Sequence, residues 1–106
     1  MARALIHVPP SAKRGETIEI KSLISHVMET GYRIGVTGQA IPRDIIEDFV
    51  CTYNGEEVFR AKLYPAIAAN PFISFFTIAT ERGTIAFSWT DQHGATQVQT
   101  AAITVE

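Results

Sequence analysis

The side chains with chemistry to offer are few: three histidines (His7, His26, His93), one cysteine (Cys51) and two methionines (Met1, Met28). These are the ligand types of a mononuclear copper site on a β-sandwich. Their order argues against one, because no His or Met follows Cys51 at short spacing to close a compact ligand loop. A non-haem iron centre of the superoxide-reductase kind needs more than three histidines, and the paired Cys/His spacings of a zinc site do not occur. Neither G-x-S-x-G nor H-E-x-x-H is present. Glu47-Asp48 and Glu56-Glu57 fall at a strand start and a turn, where solvated charges are ordinary. Gly31-x3-Gly35-x2-Gly38 lacks the Lys-Ser/Thr of a phosphate loop and leads into no helix. Cys51 sits mid-strand between Phe49 and Tyr53, the setting of a small core hydrophobe rather than of a reactive thiol. The expectation is a chain without catalytic residues, cofactor or metal.

Surface chemistry is what remains. His26-Val27-Met28-Glu29-Thr30-Gly31-Tyr32-Arg33 concentrates aromatic, Met, Arg and His types in one loop, the types enriched where proteins meet. His26, Met28, Glu29, Tyr32, Arg33 and Arg43 are the candidate partner-interface residues. A plainer reading has Met28, Tyr32 and Ile34 capping the open end of a sandwich, and the two roles are compatible. Arg33 and Arg43 would also suit a small anion, a weaker idea because Glu29 and Asp44 neutralise them locally.

The elements that must hold this loop are strands. Ile45 to Leu63 reads as a hairpin about Asn54-Gly55, since a type I′ turn needs φ > 0 at both central residues and these two types tolerate it best. Phe49, Cys51 and Tyr53 share one face of its first arm; Phe59, Ala61 and Leu63 share one face of the second. Before it come a short run, Ala4 to Val8, stopped by Pro9-Pro10, and the alternating strand from Thr17. Residues 26–44 carry three glycines and no period, so a functional segment or a small hairpin turning at Val36-Thr37-Gly38-Gln39 is expected. Residues 64–71 read as loop or a single helical turn between prolines. Phe72 to Ala79 is apolar on both faces and reads as a central strand covered on both sides. Ile85, Phe87 and Trp89 point inward from the next strand, with Trp89 at the centre of the core, and Ala95 to Val105 closes the chain. About seven strands at short spacing without a helix predict an all-β fold: an immunoglobulin-like antiparallel β-sandwich, with a small closed barrel as the alternative.

The totals agree. The 106 residues make one domain, 1–106, able to bury a core without staples. Apolar residues are 46% and charged residues 19%, a globular balance, and the net charge of −2 carries no basic stripe for nucleic acid. No run is long enough to cross a membrane as a helix. The start is too short for a signal-peptide core, which by itself points to the cytoplasm.

Four stretches sharpen this picture. Ile24-Ser25-His26-Val27-Met28-Glu29-Thr30-Gly31, Ile41-Pro42-Arg43-Asp44-Ile45-Ile46, Tyr53-Asn54-Gly55-Glu56-Glu57-Val58-Phe59 and Ala69-Asn70-Pro71-Phe72 together resemble the Z subunit of the bacterial Sox thiosulfate-oxidation system. The resemblance covers nearly the whole chain, with Val27 standing where many members carry proline. It implies a non-catalytic scaffold that pairs with a Y subunit, whose C-terminal cysteine carries the sulfur intermediate, and that meets other Sox enzymes through the complex. The end of this chain, Ala101 to Glu106, has neither the glycines nor the cysteine of that carrier arm. The resemblance also moves the expected compartment to the periplasm, reached by export together with a signal-bearing Y. An unpaired edge strand would allow self-association of the isolated chain. The rival reading is a stand-alone sandwich that binds a small ligand or a redox metal.

Overall fold

The computed structural model describes residues 3–64, 67 and 69–106. Eight strands form two sheets: β1 (Ala4–His7), β2 (Ser11–Ala12), β3 (Thr17–Ile24), β4 (Ile46–Tyr53), β5 (Glu56–Lys62), β6 (Phe72–Ile78), β7 (Gly83–Asp91) and β8 (Thr96–Val105). The smaller sheet has the order β1-β3-β6 and the larger β2-β8-β7-β4-β5. Pro9-Pro10 breaks the opening run so that β1 stays in one sheet while β2 crosses to the other. There β2 lies parallel to β8, the one departure from antiparallel pairing among the described residues. This is the immunoglobulin-like sandwich expected, with one more strand than about seven because the first is split.

The hairpin behaves as its turn residues require. Asn54 has φ 51° and Gly55 φ 83°, the left-handed pair of a type I′ turn. A bulge after Cys51 places Val58 as the extra residue of β5. The turn is also tied down sideways: the Asn54 side chain accepts from the Thr84 amide (2.9 Å) and donates to the Arg82 carbonyl (3.3 Å). It lies so close to Gly83 that a Cβ there would collide with it. Tyr53 fastens the same corner, its hydroxyl donating to the Glu81 carbonyl and accepting from the Thr80 and Glu81 amides.

The core fills from alternate residues of each strand. Phe49, Cys51, Ile85, Phe87 and Trp89 are all sealed from solvent, and Ile18, Ile20 and Ile24 meet them from the smaller sheet. The Phe49 and Trp89 rings lie 5.4 Å apart, and Phe59 of β5 stacks on Phe75 of β6 at 4.5 Å.

One strand departs from expectation. β6 pairs with β3 alone and is an edge, not a covered central strand. Its inward residue Phe75 is buried, but Phe72, Phe76 and Ile78 on the other face are 61, 66 and 47% exposed. An apolar pattern on both faces suggests cover on both faces, and among the described residues only one face is covered. The loop expected over residues 64–71 falls partly on Pro65, Ala66 and Ala68, outside the described residues. Of its remainder, the Ile67 amide bonds the Tyr64 carbonyl as a turn does.

Candidate partner interface

The excursion between β3 and β4 is anchored at its two ends and free in the middle. At the start, the His26 amide donates to the Asn70 side chain (2.9 Å) and the Asn70 amide returns a bond to the His26 carbonyl (2.7 Å). Glu29 and Asp44 exchange both backbone bonds as an isolated bridge, closing the neck of the excursion. Beyond the neck, Ile34 pairs with Ala40 and the Gly35 amide bonds the Gln39 carbonyl (2.9 Å), so residues 34–40 are the small hairpin predicted. Gly38, with φ 82°, makes its turn.

The six candidate residues divide by this anchoring. Met28 takes a φ of 50°, which turns its side chain inward; it is 4% exposed and its Sδ accepts the Ile46 amide at 3.4 Å. It is therefore core, at the end of the sandwich. His26 is mostly covered; its Nδ1 accepts the Met28 amide (3.0 Å) and its Nε2 faces Asp44 at 3.7 Å. His93, from the β7–β8 turn, approaches the same Asp44 oxygen at 3.9 Å. Arg43 does not pair with Asp44: its Nε donates to the Gln92 side chain (3.1 Å), which also accepts the Ile45 amide.

Glu29 and Arg33 form the strongest ion pair of the loop, with nitrogen–oxygen contacts of 2.7 and 3.3 Å. These hydrogen bonds hold the Glu29 carboxyl below the usual carboxylate range and raise Arg33. Arg33 is thus committed locally, as the sequence suggested. Tyr32 is the outlier, 83% exposed, and with Ile34 and Val36 it puts three large apolar side chains into solvent beyond the neck. Among the described residues, Tyr32 and Ile34 consequently do not cap the sandwich as Met28 does.

Beside the neck lies a recess of about 270 Å³ lined by Ile24, His26, Asp44, Ile46, Trp89 and Asp91 among others. Its floor is apolar and its rim acidic, a poor receptacle for an anion. Among the described residues no group of three His, Cys, Asp or Glu side chains is arranged to hold a metal ion. Cys51 is fully enclosed, and burial pushes its thiol up to about 12, so it carries almost no thiolate at neutral pH.

Sequence reading named the loop but missed the outer face of the smaller sheet. There Leu5, Leu23 and Phe72 align in one cross-strand row, with Phe76 and Ile78 further along β6. The available signal was Phe72-Ile73-Ser74-Phe75-Phe76-Thr77-Ile78 itself, seven residues with no charge.

Comparison with known proteins gives one family and one fold. The family model described as sulphur oxidation protein SoxZ matches residues 6–102. No curated protein matches the chain. Among solved structures, a superoxide reductase (neelaredoxin) from Ignicoccus hospitalis is similar with a TM-score of 0.69 at 14% identity, over 97% of this chain and 80% of that one. A putative superoxide reductase from Thermotoga maritima gives 0.70 at 17% identity, over 97% and 85%. At such identities the likeness is one of fold.

Proposed function

The chain belongs to the SoxZ family of sulphur oxidation proteins, and from that premise we propose that it is the non-catalytic scaffold of a two-chain sulfur carrier. Its partner is the Y subunit, whose C-terminal cysteine bears the sulfur intermediates of thiosulfate oxidation. The observation that carries this reading is the state of Cys51. A carrier thiol must ionise, attack and be reached by enzymes; Cys51 is enclosed between strands, and burial holds it protonated. If this complex carries sulfur covalently on cysteine, the cysteine comes from another chain. The exposed Tyr32 and the Arg33 beside it suit the docking of the enzymes that service the carrier, and they lie on the loop whose neck the Glu29–Asp44 bridge closes. On this reading the chain works in the periplasm and travels there with Y.

The test is mass spectrometry of both chains after thiosulfate turnover by the reconstituted complex. The sulfur adduct is expected on Y and not on this chain, and Cys51→Ala should leave turnover intact. A thiosulfonate on Cys51 would overturn the proposal. For the compartment, this chain expressed alone should remain in the cytoplasm and move to the periplasm when Y is co-expressed.

A further inference from the structure

Natural sheets blunt their free edges with charge, proline, bulges or brevity, because an open row of N–H and C=O groups templates association. β6 has none of these over seven residues, Phe72 to Ile78, and its one neighbour is β3. Its outward face adds Phe72, joined across the sheet by Leu23 and the 59%-exposed Leu5, and, beyond Ser74, Phe76 and Ile78, which lie opposite Glu19 and Thr17. Taking roughly 200 Å² for each large apolar side chain, the exposed parts of these residues amount to ~450 Å². That is within the range where a patch on a monomer is functional, and about half of the ~800 Å² each partner brings to a standard interface. The polar row between, His7, Lys21 and Ser74, and the strand edge itself supply the rest. Ser74 and Lys21 both contact Glu19 (2.9 and 3.7 Å), so the charges of that row are already matched and can be covered without leaving one unpaired.

We infer that the open edge of β6 and the outer face beside it are the seat of the Y subunit, which adds a strand along β6 and folds an apolar surface over Phe72 and Phe76. This rests on the two-chain reading above. The choice of occupant follows from what must be covered. A second copy pairing β6 to β6 about a two-fold axis would complete the edge but only extend the sheet, leaving both phenylalanines wet on its outer face. A second copy laid face to face would cover the phenylalanines and leave both edges open. A different chain, with a strand to add and a surface that wraps the edge, meets both demands in one interface. Tyr32 and its hairpin then remain available to the enzymes that visit the carrier.

The experiment measures Y binding by the full chain, as wild type, Phe76→Glu, Phe72→Ser and Tyr32→Ala, with amide hydrogen exchange over β6 in free and bound forms. Protection of Cys51 from a thiol reagent verifies that each variant is folded. The expected result is a loss of affinity of at least 100-fold for Phe76→Glu, a smaller loss for Phe72→Ser and none for Tyr32→Ala. Exchange of the β6 amides should slow at least tenfold in the complex. Wild type that binds Y while folded Phe76→Glu binds equally well would overturn this placement and leave the two-chain reading standing. Wild type that does not bind Y defeats that reading and this inference with it. A dimer of the lone chain that Phe76→Glu dissolves, with Y binding unaffected, would make a second copy the occupant and overturn the choice made here.

Discussion

The sandwich has two long edge strands, and they are built in opposite ways. β5 carries Glu56, Glu57, Arg60 and Lys62 along its length, interrupts its ladder with a bulge, and binds its charges in pairs: Arg60 to Glu57 at 2.8 Å and Lys62 to Asp48 at 3.4 Å. β6 is all apolar or hydroxyl, unbulged and open. The faces behind the edges differ likewise. Behind β5 runs a row of Arg60, Val50, Ser88 and Val98, and the next rows are rich in Thr; behind β6 the first row is Phe72, Leu23 and Leu5, and the polar row of Ser74, Lys21 and His7 separates it from Phe76 and Ile78. One side is made to stay in water and the other to leave it. The lesson is that a domain can guard one edge with charge and leave the other bare, and on the inference above the bare edge is where the assembly begins.

The two edges nevertheless touch through the core, where Phe75 of β6 stacks on Phe59 of β5. Phe75→Ala should therefore give the largest effect, ~3–5 kcal/mol in a denaturant melt, by opening a cavity between both edges. Its neighbour on the exposed face, Phe76→Ser, should change stability by no more than about 0.5 kcal/mol. Comparable losses at the two positions would mean that β6 is not the half-covered strand described. Next in size is Gly55→Val, which forces a β-branched residue to positive φ in the β5 turn and should cost about 1–3 kcal/mol, read as a shifted urea midpoint.

The seal on the β5 side has a pH signature. The Cys51 thiol is raised from an ordinary 9.0 to about 12 in the folded chain. Above the ordinary value the unfolded chain has lost this proton and the folded chain still holds it, so stability falls as pH climbs from 9 towards 12. Relative to Cys51→Ala, the wild type should lose at most about 1.4 kcal/mol per pH unit in that window. Parallel curves for the two proteins would show that water reaches the thiol. The smallest effect belongs to the solvated ion pairs: Arg60→Ala should shift stability by only ~0.2–0.5 kcal/mol, since exposed pairs contribute little. Its mark should instead be faster aggregation on prolonged incubation, followed by light scattering, because it strips one guard from an edge.

Much of this was legible because local rules and tertiary structure agree. Asn54-Gly55 needs a left-handed pair and the structure has one; Ile85, Phe87 and Trp89 alternate and are buried. β2 was unreadable, being two residues long and defined only by where Pro9-Pro10 sends the chain. The misreading of β6 is more instructive. Hydrophobic period cannot say what covers a face, so Phe72 to Ile78 reads as central although β6 is an edge; burial by another chain, as inferred above, would account for the pattern. In the loop, composition could not separate Met28 from Tyr32, since both are interface types. What separates them is backbone: a φ of 50° and a sulfur accepting the Ile46 amide send one inward. The Arg43 partner was missed because Gln92 lies 49 residues away, on a turn no local pattern connects to it.

The clamp on Asn54 reaches beyond mechanics into chemical ageing. In a flexible chain, the Gly55 nitrogen, unscreened by any side chain, can close on the Asn54 carboxamide and expel ammonia to give a succinimide, which water then opens to aspartate or isoaspartate. Here the carboxamide is engaged at both ends, by the Thr84 amide and the Arg82 carbonyl, and it is pressed against Gly83. Ring closure must first break that hold, so deamidation at this site proceeds chiefly from molecules that have opened. Isoaspartate at position 54 is thus a cumulative record of the time each molecule has spent outside its native fold.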